Sequence, residues 1–158
     1  MKKTIQLVGA ISNAPGKNIN EFLKVQKFYE KLGYEVINPH DIATALAIRY
    51  ECDGLPEPDE KAIIAYCLIS LLTEADLAIV VGEIKNSAGA PVELHICKAY
   101  DIEAREAYTD KLIDISAGIQ LNYSNCKNML SLVLESSEIN TIDFRYECTG
   151  NEKTVRLN

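Results

Sequence analysis

Glu93, Ser87 and Gly89 stand in one stretch, Asn86-Ser87-Ala88-Gly89-Ala90-Pro91-Val92-Glu93. The apolar β-forming run Leu77-Ala78-Ile79-Val80-Val81 precedes it and a helix-like segment follows. A small-residue loop at a helix start points backbone N–H groups at one place, which suits a phosphate or hydroxyl. Glu93 falls in the first turn of that helix. A carboxylate there is either a surface residue complementing the helix dipole or a nucleophile aimed at a small electrophile. The stretch alone leaves both open.

Three further groups carry possible chemistry. Gly9-Ala10-Ile11-Ser12-Asn13 combines a glycine that lets a ligand approach backbone with two donor side chains. It also reads as an ordinary turn between strand and helix. It does not match GxGxxG, and no Walker sequence occurs. Asn38-Pro39-His40-Asp41 is a strand-ending turn in which Asp41 can cap a helix and His40 reads as a surface residue. Asp76 is either a turn residue or a group reaching a ligand hydroxyl. His95 reads as a helix-surface or packed residue, and Cys97 as small apolar packing, since nothing nearby activates a thiolate.

The elements that must position these groups follow from periodicity. Ile5 to Val8 reads as a buried strand ended by Gly9. Asn18 or Asn20 can cap a helix whose apolar residues Phe22, Val25, Phe28, Tyr29 and Leu32 keep a helical period, with Gly33 as its stop. Tyr34 to Ile37 is a second strand. This βαβ unit predicts parallel pairing. A short helix over Asp41–Tyr50, a loop over 51–58 and a helix over Asp59–Thr73 follow. The third strand, Asp76–Val81, is nearly all apolar, as a central parallel strand is. A helix over Ala90–Tyr100, strands near Ile102–Ala107 and Ile115–Leu121, and a helix from Ser124 to about Glu135 complete the core. Thr141–Tyr146 and Lys153–Leu157 flank a turn and predict a β-hairpin.

The expected fold is therefore α/β. It is a three-layer flavodoxin-like or Rossmann-like domain with a mostly parallel sheet of about five strands. Residues 1–158 form a single domain, with a core over 1–140 and a hairpin extension over 141–158. Ligands in such sheets bind beyond the carboxyl ends of the strands. The loops at 9–18, 38–41 and 82–93 all follow strands and should gather there.

Composition narrows the function. The chain has 158 residues, 47% hydrophobic and 25% charged, within the range of a globular domain. Its net charge of −7 gives no basic footprint for a nucleic-acid polymer. Met1-Lys2-Lys3-Thr4 runs into a strand-like segment without the apolar region of a signal peptide, and no apolar run is long enough to span a membrane. The five cysteines are scattered, with no CxxC pair. Free thiols in a reducing cytoplasm, no metal site and no cofactor are the expectation.

Taken together, the four groups resemble the nucleoside 2-deoxyribosyltransferase-like superfamily. The matching features are Gly9-Ala10-Ile11-Ser12 after the first strand, Asn38-Pro39 ending the second, and Asp76 opening the third. Ser87, Gly89 and Glu93 then match a Ser-x-Gly-x-x-x-Glu-like signature, and Ala99 an alanine on the same helix. The order covers residues 4 to about 105, and its feel is nearest to a small branch related to 2-deoxynucleoside 5′-monophosphate N-hydrolases. The resemblance implies cleavage or exchange of the N-glycosidic bond of a nucleoside or nucleoside monophosphate. Glu93 would be the nucleophile, Asp76 a residue near the base or sugar, and Ser87 and Gly89 the loop holding a 5′-phosphate. Gly9, Ile11, Ser12 and Asn38 would line the same pocket. Gln6 stands where relatives often carry a tyrosine that orients the nucleophile, and Ala10 stands for the family's proline. The resemblance also implies a homodimer or larger homo-oligomer. Gln120 and Asn122 would then be a weak match to an element supplied to a neighbouring subunit's site. A non-catalytic nucleotide-binding module with the same pocket is the alternative.

Overall fold

A computed structural model describes residues 1–11, 14–84, 87 and 89–115. Four strands form one parallel sheet: β1 (Thr4–Gly9), β2 (Glu35–Ile37), β3 (Leu77–Val81) and β4 (Glu103–Glu106). The spatial order is β2-β1-β3-β4. Four helices connect them: α1 (Ile19–Lys31), α2 (Pro39–Cys52), α3 (Glu60–Thr73) and α4 (Ala90–Ala99).

Alternation along β1 divides the core into two layers. Ile5 and Leu7 pack with Phe22, Val25 and Tyr29 of α1 and with Ile79 and Val81 of β3. Val8 turns to the opposite face, where Ala78 and Val80 meet Leu71 of α3 and Leu94 and Cys97 of α4. Side chains two apart share a face, so Gln6 also belongs to the α3–α4 side. α3 packs against both α2 and α4. Helices on both faces of a parallel sheet give the expected three-layer α/β architecture.

The local signals act much as their chemistry dictates. Gly33 takes φ 93° just past α1, and its N–H bonds the Glu30 carbonyl at 3.0 Å. The Asp59 carboxylate accepts from Ala62 N–H at 2.9 Å and caps α3. Two boundaries differ from expectation. α2 begins at Pro39 rather than Asp41, because the Asn38 side chain accepts from His40 N–H at 3.0 Å. Proline needs no N–H in a first helical turn. At α1 the Asn18 side chain makes no capping bond, since Asn18 itself is left-handed at φ 57°. The sheet has four strands among the described residues where about five were expected. Ile115 is buried in a turn that packs on the core. The rest of the expected strand to Leu121, the helix from Ser124, and the hairpin over 141–158 lie outside the described residues.

Candidate functional site

The order in which strands are added reverses between β1 and β3. From β1 the chain runs outward to β2, and from β3 it runs outward to β4. Such a switch point opens a crevice at the carboxyl ends of the two central strands. A cavity of about 530 Å³ lies there, a volume typical of small-molecule sites. Gly9 and Ile11 reach it from the end of β1, Pro39 and His40 from the end of β2, and Ser87, Gly89 and Glu93 from the end of β3. Ile63, Ile64, Cys67 and Leu68 of α3 form an apolar wall.

Gly9 is required by packing as much as by any ligand. A Cβ added to it would stand 2.7 Å from the Val81 carbonyl oxygen and 3.0 Å from the tip of the Phe22 ring. β1 and β3 pair there in register, Gly9 opposite Val81.

Glu93 is the chemical centre of the cavity. Its backbone N–H bonds the Gly89 carbonyl at 3.1 Å, fixing it in the first turn of α4. The residue is half-buried, with one side on the cavity and its carboxyl desolvated by the surrounding protein. Burial pushes the carboxyl up to about 8, against the opposing pull of a hydrogen bond from the Gln6 side chain. Proximity to a helix N-terminus favours the anion by about 1 kcal/mol. Desolvation outweighs it here. A solvated dipole-complementing residue would not behave this way.

Gln6 is completely buried. Its Nε2 donates to the Cys67 carbonyl at 2.8 Å, which fixes the amide's orientation because a carbonyl only accepts. Its Oε1 is buried without a partner among the described residues. The amide therefore ties β1, α3 and the Glu93 carboxyl together, in the position where the resemblance places a tyrosine. Cys67 and Cys97 sit near Glu93, and burial pushes both thiols up, Cys97 to about 12. They are unpaired, inert packing residues, as expected for Cys97.

Ser87 Oγ accepts from Ala90 N–H at 3.1 Å, so the loop caps α4. A hydroxyl that accepts keeps its own hydrogen to donate, and Ser87 lines the cavity.

Three of the described residues expected at the site do not line the cavity: the buried Gln6, Asp76 and Asn38. Asp76 stands at the amino end of β3, and its Oδ2 accepts from Thr4 N–H at 2.9 Å while its N–H bonds the Thr4 carbonyl at 2.8 Å. In a parallel sheet, a residue that opens a strand lies at the edge opposite the carboxyl ends. Asn38 is buried, where its side chain caps α2 and donates to Gln26 Oε1 at 2.8 Å. Its neighbours Pro39 and His40 line the cavity instead. Ser12, Gln120 and Asn122 lie outside the described residues.

Sequence reading missed His40, Lys17, Glu60 and the α3 wall. The signal for α3 was present: Ile63, Ile64, Cys67, Leu68, Leu71 and Leu72 are too many for one stripe, and a second apolar face needs something to cover. Among the described residues no group of three or more His, Cys, Asp or Glu side chains could hold a metal ion, and no helix is long and apolar enough to cross a membrane.

The sheet order defines a flavodoxin-like α/β domain with a cavity at its switch point. The chain belongs to the family described as a domain of unknown function, DUF4406, which matches residues 3–104 and so takes in every cavity-lining residue. No curated protein matches the chain.

Proposed function

We propose that the protein cleaves or exchanges the N-glycosidic bond of a nucleoside, a deoxynucleoside or a nucleoside 5′-monophosphate, with Glu93 as nucleophile. The observation that carries this reading is the Glu93 carboxyl, held by Gln6 in the wall of a cavity of suitable size at the switch point. The resemblance of the strand-end motifs to the nucleoside 2-deoxyribosyltransferase-like superfamily supports it. In this reaction a Glu93 oxygen bonds to the anomeric carbon as the bond to the base nitrogen breaks. The electron pair leaves with the base, which takes up a proton. Water or a second base then displaces the glycosyl group from Glu93. In this reading Ser87 O–H and the start of α4 hold a 5′-phosphate. The reading carries with it a cytoplasmic enzyme that works as a homodimer or larger, and light scattering measures the assembly.

Incubation with mixed nucleosides and nucleoside monophosphates, read by mass spectrometry, tests the reading. Free base is expected from the wild type and none above background from Glu93→Ala. No base release from any member of the panel sinks it. A second reading, nucleotide binding without turnover, is favoured by the buried Glu93 carboxyl, which is mostly protonated near neutral pH, and by the lack of a phenol at Gln6. It predicts a ligand-induced rise in melting temperature with no product.

A further inference from the structure

The start of α2 is held from α1 by the side chain of Gln26. Asn38 is buried, and its Oδ1 accepts from His40 N–H at 3.0 Å while its Nδ2 donates to Gln26 Oε1 at 2.8 Å. The Gln26 amide nitrogen donates to Asp41 Oδ2 at 3.3 Å and to Glu30 Oε1 at 3.0 Å. Each of these links has a fixed direction. A carboxylate oxygen only accepts and an amide N–H only donates, so a flipped Gln26 amide would oppose every partner. A glutamate in its place loses both N–H donors and sets a third acid beside Asp41 and Glu30. An apolar side chain of the same length makes none of the bonds.

Gln26 does not line the cavity, but what it holds does. Pro39, His40 and Ala43, on the first two turns of α2, form part of the lining. Pro39 has no N–H to offer, so the Asn38 side chain and carbonyl take the first N–H groups of the turn, from His40 and Asp41. The Asn38 amide that makes this cap is the one that reaches Gln26. Gln26 therefore grips residues 38 and 41, on either side of Pro39 and His40. The edge of the Phe22 ring, also from α1, meets the His40 ring at a centroid distance of 5.1 Å. A wall placed through side-chain links shifts when a link is cut, and a small misplacement of a lining group costs affinity. We propose that Gln26 is a positioning residue: from outside the cavity it sets where the first turn of α2 stands against the ligand. The inference deepens the nucleotide reading and rests on it.

Calorimetry on the full chain carrying Glu93→Gln, which blocks turnover, measures dissociation constants for the common 2′-deoxynucleoside 5′-monophosphates. Gln26→Glu should weaken binding of the tightest of them about tenfold. Adding Asp41→Asn, whose side-chain N–H donates to the new carboxylate, should restore most of the loss. The measurement is made well below the melting temperature, where reduced stability alone leaves the affinity of the folded protein unchanged. An unchanged affinity in Gln26→Glu, or a loss that Asp41→Asn does not repair, overturns the inference and leaves the nucleotide reading standing. No binding of any nucleotide to the Glu93→Gln protein overturns both. Hydrogen exchange on the ligand-free wild type and on Gln26→Glu reads the wall directly. His40 N–H should lose protection in the variant, and equal protection overturns the inference. Gln26→Met, which removes the three bonds without adding charge, supplies the same two readouts if Gln26→Glu does not fold.

Discussion

At the scale of residues, Glu93 sets the pH behaviour. Its carboxyl is raised from the ordinary 4.5 to about 8, so the folded state holds a proton that the unfolded state releases. That contribution to stability is complete below about pH 4.5 and is lost as pH rises through about 8. Each pH unit between those two values is worth about 1.4 kcal/mol, giving a loss on the order of a few kcal/mol by pH 9. Denaturant titrations at pH 5 and pH 9 should show it, and Glu93→Gln should flatten the difference. An equal pH dependence in the two proteins would refute the burial of the carboxyl. If Glu93 attacks as the anion, kcat/KM should also rise with pH to a plateau above about 8, since this parameter reports the free enzyme. Asp76 predicts the opposite pattern. Its bond to Thr4 is solvent-exposed and far from the cavity, so Asp76→Ala should cost about 0.5–1 kcal/mol of stability with base release unchanged. Gly9→Ala should cost about 1–3 kcal/mol, because neither the Val81 carbonyl nor the Phe22 ring can easily move.

At the scale of elements, α1 is latched to the end of the sheet by one phenol. Tyr29 Oη donates to Asp110 Oδ1 at 3.2 Å and accepts from Tyr108 N–H at 3.2 Å. Burial is the main cause that raises it to about 12. Tyr29→Phe should lower stability by about 1–2 kcal/mol, and hydrogen exchange should find Tyr108 N–H newly unprotected. The α1 stripe and its Gly33 stop were legible because a one-sided amphipathic helix announces its buried face. α3 was legible only as a helix. Leu71 is buried in the core, and Leu71→Ala should cost about 2–5 kcal/mol. Ile63, Ile64 and Leu68 look the same in sequence yet cover a cavity. Periodicity reports that a side chain leaves water, not what it meets.

At the scale of the whole molecule, a ligand in the cavity touches the loops after β1, β2 and β3 together and should stabilise them together. A nucleotide at a hundred times its dissociation constant should add about 2.7 kcal/mol, read as a rise in melting temperature, and Glu93→Gln should keep that rise while losing product. The sequence by itself determined the parallel α/β class, the order of the elements and the gathering of three loops at one edge. Those features follow from local periodicity, turn residues and the handedness of crossovers. It also supplied Glu93, Ser87 and Gly89 as one group, because neighbours in one loop stay neighbours. Only the tertiary structure decided the charge state of Glu93, since desolvation depends on what packs around the carboxyl. It likewise removed Asp76 to the far edge, brought His40 to the cavity wall, and made Gln6 the link between Cys67 and Glu93. Each of those outcomes depends on residues distant in the chain, whose meeting no local spacing records.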